Sequence, residues 1–242
     1  MSERPYDNLA LIYNHLMRDV DYDNWSKYIF KIADYHSSNI ETVLELAAGN
    51  CRISEFLSGK FRNFIATDIS LSMLKGSSSN NIKKICCDMK TLPFKSKFNF
   101  IFTAFDSINY ILTQRELFNL FSCIKKNLLE NGIFTFDASL EKNSLNFIIP
   151  KTLMDSYNGY SYTKTGYYKK RSRMHINEFI IQDLSGLEYK EIHKQKIYKL
   201  ITYFSLADKA GLQIKACYSC FSFDDVNENS ERVQFVLGKI KK

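Results

Sequence analysis

A chain of 242 residues is long enough to bury a full core as one domain, and 45% hydrophobic with 24% charged residues is the composition of an ordinary soluble globular protein. No apolar run approaches the ~20 residues needed to cross a bilayer, which excludes a helical membrane protein. The formal charge of +7 suits an anionic small molecule, a nucleic acid or a membrane surface, and selects none of them.

The chain opens on MSERPYDNLA, polar and acid-containing, which is unlike a signal peptide, so a cytoplasmic location is expected. The first forty residues read as helical: Leu9, Ile12, Tyr13 and Leu16 recur at helical spacing, and Trp25, Tyr28, Ile29 and Ile32 repeat it. The chain then alternates. Apolar strand candidates lie at 43–46, 63–67, 82–87, 98–104 and 133–137, with helical segments at 53–57, from 72–75 onward and at 115–129. Strand followed by helix, repeated, argues for a parallel sheet covered by helices on both faces. Asn131-Gly132 reads as a helix stop before the fifth strand. Beyond Pro150 the texture becomes rich in Tyr, Ile and Lys with alternation, and a turn signal at 183–186 suggests two or three antiparallel strands. A short helix stopped by Gly211, a strand, and a last strand in ERVQFVLGKI close the chain.

Six scattered cysteines, Cys51, Cys86, Cys87, Cys123, Cys217 and Cys220, do not form a secreted disulfide framework. The CYSC of Cys217 and Cys220 has no second pair, and on a strand its sulfurs face opposite ways. His15, His36, His175 and His193 share no close ligand spacing, so no metal is expected.

The stretch TVLELAAGN carries one acid, Glu45, in a strand that then thins to Ala47, Ala48 and Gly49. Small residues after a parallel strand let a ligand come close, and a carboxylate beside such a turn accepts from ligand donors. Asp68, in FIATDIS, follows roughly 20 residues on at the tip of the next strand, which suits a ribose with two hydroxyls. Asp88, in ICCDMK, follows the third strand, where an acid can bond an exocyclic amine. All three stand at strand C-terminal ends, where open α/β sheets bind ligands.

In this order and spacing the motifs resemble class I S-adenosylmethionine-dependent methyltransferases, in their small-molecule branch with sugar-amine and glycine-type N-methyltransferases. LELAAGN is similar to the first motif, ATDISLSML to the second, CCDMKTLPF to the third, and FNFIFTAFDSINYIL to the fourth strand and the loop that faces the reactive methyl. The resemblance implies a Rossmann-like α/β fold with a seven-stranded sheet of order 3-2-1-4-5-7-6. It implies N-terminal lid helices over residues 1–38 and an antiparallel β insertion near 150–200 that roofs the acceptor site, all within one domain, 1–242. The implied cofactor is S-adenosylmethionine, held by Glu45, Ala47 and Gly49, by Asp68, Ile69 and Met73, by Asp88 and Met89, and by Phe105, with Tyr13 and Trp25 covering its methionine part. Asp106 and Tyr110 are the implied catalytic residues. Asn50 and Cys51 depart from the family loop, which carries further glycines there, and Cys51 is expected to crowd the methionine end.

The expected reaction is methyl transfer to N or O of a small-molecule acceptor, an amino sugar or metabolite amine, by a monomer or homodimer with no membrane partner. The basic stretch YYKKRSRMH offers Lys169, Lys170, Arg171 and Arg173 either to an anionic group on that acceptor or as charge protecting an edge strand. A nucleic-acid methyltransferase is the disfavoured alternative: FDSINY is not the Asp/Asn-Pro-Pro-aromatic motif of base amino-methylases, and no Pro-Cys dipeptide is present. A non-catalytic cofactor-binding protein is the second alternative, motivated by Asn50 and Cys51.

Overall fold

A computed structural model describes residues 6–77, 79, 82–227 and 229–240. In chain order its helices are α1 (Tyr13–Leu16), α2 (Tyr22–His36), α3 (Arg52–Leu57), α4 (Leu71–Lys75), α5 (Gln114–Asn127), α6 (Glu141–Leu145) and α7 (Leu200–Lys209). The strands are β1 (Thr42–Leu46), β2 (Asn63–Asp68), β3 (Lys83–Cys86), β4 (Phe98–Thr103), β5 (Leu128–Ser139), β6 (Lys151–Tyr157), β7 (Tyr160–Lys169), β8 (Met174–Gln182), β9 (Glu188–Lys196), β10 (Leu212–Ser219) and β11 (Arg232–Lys239).

The expected α/β sheet is present. Its order is β10-β11-β5-β4-β1-β2-β3, parallel from β3 to β5 and closed by the antiparallel strands β11 and β10. Period-two alternation sends successive residues to opposite faces. Leu44, Ile101 and Phe134 join the layer under α5 and α7, while Val43, Phe100 and Ile133 join the layer under α2 and α3. Both faces are therefore apolar, and the central strands read as continuous hydrophobic runs.

The break after α5 is not where Asn131-Gly132 suggested. The helix ends at Asn127, β5 begins at Leu128, and the Asn-Gly pair lies inside the strand. A Cβ on Gly132 would stand 2.9 Å from the carbonyl oxygens of Phe98 and Asn99. This glycine serves close approach of two backbones at a register shift between β4 and β5, not a helix cap. The second sheet holds four antiparallel strands, β6-β7-β8-β9, where two or three were expected. The extra strand is the edge β6, mostly exposed and without clean alternation, so it leaves little trace in the sequence. Leu9 and Ile12 of the N-terminal segment pack against Tyr162, Phe179 and Ile181 of this sheet.

Phe136 lies at the centre of the main core, fully buried and in ring contact with Phe121, Phe134, Tyr203 and Phe235. Phe136→Ala is expected to cost about 3–5 kcal/mol. Urea denaturation checks this; a shift in midpoint worth under about 1 kcal/mol would mean the cluster repacks freely.

Candidate active site

The C-terminal ends of β1, β2 and β4 converge on a cavity of about 290 Å³. Its floor is the turn after β1, where Ala47, Gly49 and Cys51 all take left-handed backbone with φ of 51°, 57° and 63°. Alternate left-handed residues fold the chain tightly, at a conformational cost where the residue is not glycine. A Cβ on Gly49 would stand 3.2 Å from Cε of Met73, so the smallest residue lies where the α4 methionine closes in. Cys51 does not crowd the cavity as expected: it is buried in the layer under α2 and is not among the lining residues. Its left-handed backbone turns the side chain into the core.

Three acids reach the cavity. Glu45 is 3% exposed and accepts a short hydrogen bond from the Ser54 hydroxyl. Burial pushes its carboxyl up to about 8, against the opposing pull of that hydroxyl. Asp68 is 7% exposed and accepts from the backbone N–H of Gly49 and of Ser70, each at 2.8 Å. Burial raises its pKa above the ordinary carboxylate value, with these backbone donors opposing. Asp88 accepts from the Lys90 N–H at 2.8 Å, and the Lys90 ammonium bridges towards Glu116 at 2.9 Å. Ile69, Met73 and Met89 supply apolar wall beside these acids.

The opposite wall comes from the N-terminal segment and from the loop after β4. Tyr13, Phe105 and Tyr110 line the cavity, together with Tyr6 and Tyr22. The Tyr6 and Tyr110 hydroxyls meet at 2.6 Å. Trp25 is placed differently from expectation: it is absent from the lining and stands behind Phe105, ring centroids 4.6 Å apart, with Phe221 on its far side. One helical turn earlier on α2, Tyr22 reaches the cavity instead, under the Arg52 guanidinium. Its proximity to Trp25 in DYDNW is the signal that could have found it.

Asp106 also lies outside the lining. Phe105 and Asp106 are consecutive left-handed residues, φ 57° and 48°, and the Asp106 carboxylate is turned back into the protein. It accepts from Gln195 of β9 at 3.0 Å and pairs with Arg232 at 3.2 Å. Arg232 also makes a short contact with Asp137, which accepts the Asp106 backbone N–H at 2.8 Å. Burial raises the Asp137 carboxyl to about 6, with Arg232 opposing. Asp106 is therefore a fastening of the loop. The basic stretch is likewise away from the cavity: none of Lys169, Lys170, Arg171 and Arg173 lines it. Arg173 is committed to Glu141 and to the Ile197 carbonyl, and Lys169 lies over the Tyr167 ring. The hairpin carrying these residues points them to solvent or to structural partners.

Against known proteins, residues 43–132 match the family model described as a methyltransferase domain. The chain is 25% identical to YqeM, a putative methyltransferase of Bacillus subtilis, over 98% of both chains. A solved S-adenosylmethionine-dependent methyltransferase from Clostridium acetobutylicum superposes with a TM-score of 0.82 at 24% identity, covering 98% of this chain and 100% of that one. The sugar N-methyltransferase KedS8 from Streptoalloteichus superposes with a TM-score of 0.79 at 13% identity, covering 100% of this chain and 95% of that one. The sheet order is consistent with the fold shared with these solved methyltransferases, and residues 43–132 carry the match to the methyltransferase domain. The chain is thus similar to enzymes of methyl transfer, and the solved one from Clostridium acetobutylicum is S-adenosylmethionine-dependent.

Because the folded-state pKa of Glu45 is raised from 4.5 to about 8, the protonated carboxyl is the form the fold favours. Its contribution is full below pH 4.5 and is lost as pH rises through about 8. Glu45→Gln should therefore gain stability relative to wild type across that window and hold a constant advantage above it. Thermal melts from pH 4 to 9 without cofactor check this; parallel curves for the two proteins would refute it.

Proposed function

We propose that this enzyme transfers the methyl of S-adenosylmethionine to the N or O of a small-molecule acceptor, with an amino sugar carried on a nucleotide as the leading class. The observation that carries the reading is the size and lining of the cavity. Tyr6, Ser107 and Tyr110 line it, and the N-terminal segment is bound to the second sheet. A cavity of about 290 Å³ suits a small acceptor better than a duplex. The fold of KedS8, a sugar N-methyltransferase, supports the same class.

The residues present fit the cofactor. Asp68 would accept from the ribose hydroxyls; Asp88, Met89, Ile69 and Met73 would hold the adenine; Glu45, Ala47 and Gly49 would form the methionine end. Tyr13 and Tyr22 cover it as part of a lid formed by the N-terminal helices, with Trp25 supporting Phe105 from behind. S-adenosylmethionine brings an electrophilic methyl on sulfur. The chain's own task is to present the acceptor in line with that methyl and to exclude water, and positioning of this kind supplies much of the acceleration. Tyr110 stands at the acceptor end and orients the nucleophile through its hydroxyl. Asp106 acts by holding the loop that carries Phe105 and Tyr110.

Asp68→Ala should weaken S-adenosylmethionine and S-adenosylhomocysteine alike, by about 10–100-fold, through loss of a charge-assisted pair and of the tie to Gly49. Calorimetry giving unchanged affinity would remove Asp68 from the cofactor site. For the acceptor, the purified chain is offered nucleotide-linked amino sugars, free amino sugars, simple amines, their hydroxyl counterparts and tRNA, and S-adenosylhomocysteine is measured. Turnover of the amino-sugar nucleotides, with Tyr110→Phe lowering kcat and sparing cofactor affinity, is the expected result. Turnover confined to tRNA would overturn the small-molecule reading.

A further inference from the structure

The second sheet presents a buried acid–imidazole pair beside the acceptor end of the cavity. Glu191 of β9 accepts the backbone N–H groups of Tyr6, Asn8 and Leu9 at 2.8, 2.7 and 2.9 Å. This carboxylate is thus held rigidly by the N-terminal segment. Its Oε2 lies 3.0 Å from Nε2 of His193, whose side chain is 2% exposed. Glu191 stays ionised: its pKa is lowered, with burial opposed by the His193 ring and the three backbone donors. An ionised carboxylate there accepts from Nε2–H, which leaves the lone pair on Nδ1. Among the described residues that Nδ1 is buried and has no hydrogen-bond partner. A buried acceptor atom without a donor costs free energy and calls for an occupant. The His193 ring meets Tyr6 edge-on at 4.5 Å and Tyr110 at 6.0 Å, the two tyrosines that line the cavity end.

We propose that His193 is the proton acceptor of the methyl-transfer step, with Glu191 as its positioning residue and the Tyr6 ring as the gate between it and the acceptor. This rests on the reading that the acceptor binds beside Tyr110. The acceptor swings the Tyr6 ring aside, which breaks the 2.6 Å hydrogen bond to Tyr110. The nucleophile then faces the Tyr110 hydroxyl and Nδ1 of His193. As the new bond to the methyl carbon forms, the S–CH3 bond breaks and its electron pair stays on sulfur. The proton of the nucleophilic N–H or O–H passes to Nδ1, and the imidazolium is stabilised by Glu191 at Nε2. The geometry is that of a carboxylate-backed imidazole base. Asp106, the other acid near the loop, already has both oxygens engaged, by Gln195 and Arg232. The titratable groups facing His193 are Glu191 from its own strand, Tyr6 from the N-terminal segment and Tyr110 from the loop after β4; Phe179 of β8 completes the surroundings.

The test has two readouts on the full chain. The first uses 15N-histidine NMR of the complex with S-adenosylhomocysteine, assigned by replacing His15, His36 and His175 in turn. His193 should carry its proton on Nε2, with Nδ1 bare, at pH 8, and Glu191→Gln should let that proton move to Nδ1. The second measures turnover of a nucleotide-linked amino sugar. His193→Gln should lower kcat about 100-fold, a typical loss for a general base, and abolish the acidic limb of the pH profile. KM for the amino sugar and affinity for S-adenosylmethionine should stay within about threefold. A proton on Nδ1 of the wild type at pH 8, a tautomer unchanged by Glu191→Gln, or normal turnover by His193→Gln each overturns the proposal. If wild type turns over no amine or hydroxyl probe, the acceptor class fails, while the NMR readout still decides the state of His193 by itself.

Discussion

The turn after β1 is held in place by one carboxylate. Asp68 takes the backbone N–H of Gly49 on one oxygen and that of Ser70 on the other, so the tip of β2 ties the floor of the cavity to the start of α4. Without that tie, three left-handed residues in five would have little to hold them in a costly conformation. The same tie explains why Met73 can close over Gly49 and why Glu45, one strand away, ends in a pocket dry enough to raise its pKa. The acid is both a brace of the turn and a wall of the cavity.

A second set of charges fastens the opposite side. Arg232 from the closing hairpin reaches Asp106 after β4 and Asp137 at the end of β5, and Gln195 of the second sheet completes the link. Burying such groups adds little net stability, because desolvation offsets most of the attraction. What it provides is position. The loop carrying Phe105 and Tyr110 leaves β4 in a strained conformation and is clamped from three elements at once. The hairpin at the far edge of the sheet therefore shapes the cavity although none of its described residues lines it.

The four-stranded sheet and the N-terminal segment belong together. Glu191 takes three backbone donors from residues that form no regular ladder, and Leu9 and Ile12 pack into the sheet's inner face. Chain separated by about 180 residues is thus joined into one wall.

Much was legible from local order alone. The parallel strands are buried on both faces and so appear as apolar runs, and the small residues and acids at their ends mark where a ligand lies, because sheet connectivity puts every strand's C-terminal end on one side. That logic identified the parallel sheet and the cavity positions of Glu45, Gly49, Asp68 and Asp88, and the family resemblance added Tyr110. It failed where side-chain direction depends on distant partners. Trp25 and Tyr22 lie on one helix, and only packing against Phe105 and Phe221 decides which of them faces the cavity. Asp106 follows the expected strand, yet Arg232 and Gln195 turn it inward. Gly132 looked like a helix stop because local sequence cannot register the β4 carbonyls that crowd it. Glu191 and His193 sit in an alternating strand with no motif at all. The sequence by itself determined the succession of strands and helices along the chain and the residues at the strand tips, which are local and periodic. Only the tertiary structure decided which side chains meet in the site, because those meetings are long-range and are settled by whichever partner buries or neutralises each group.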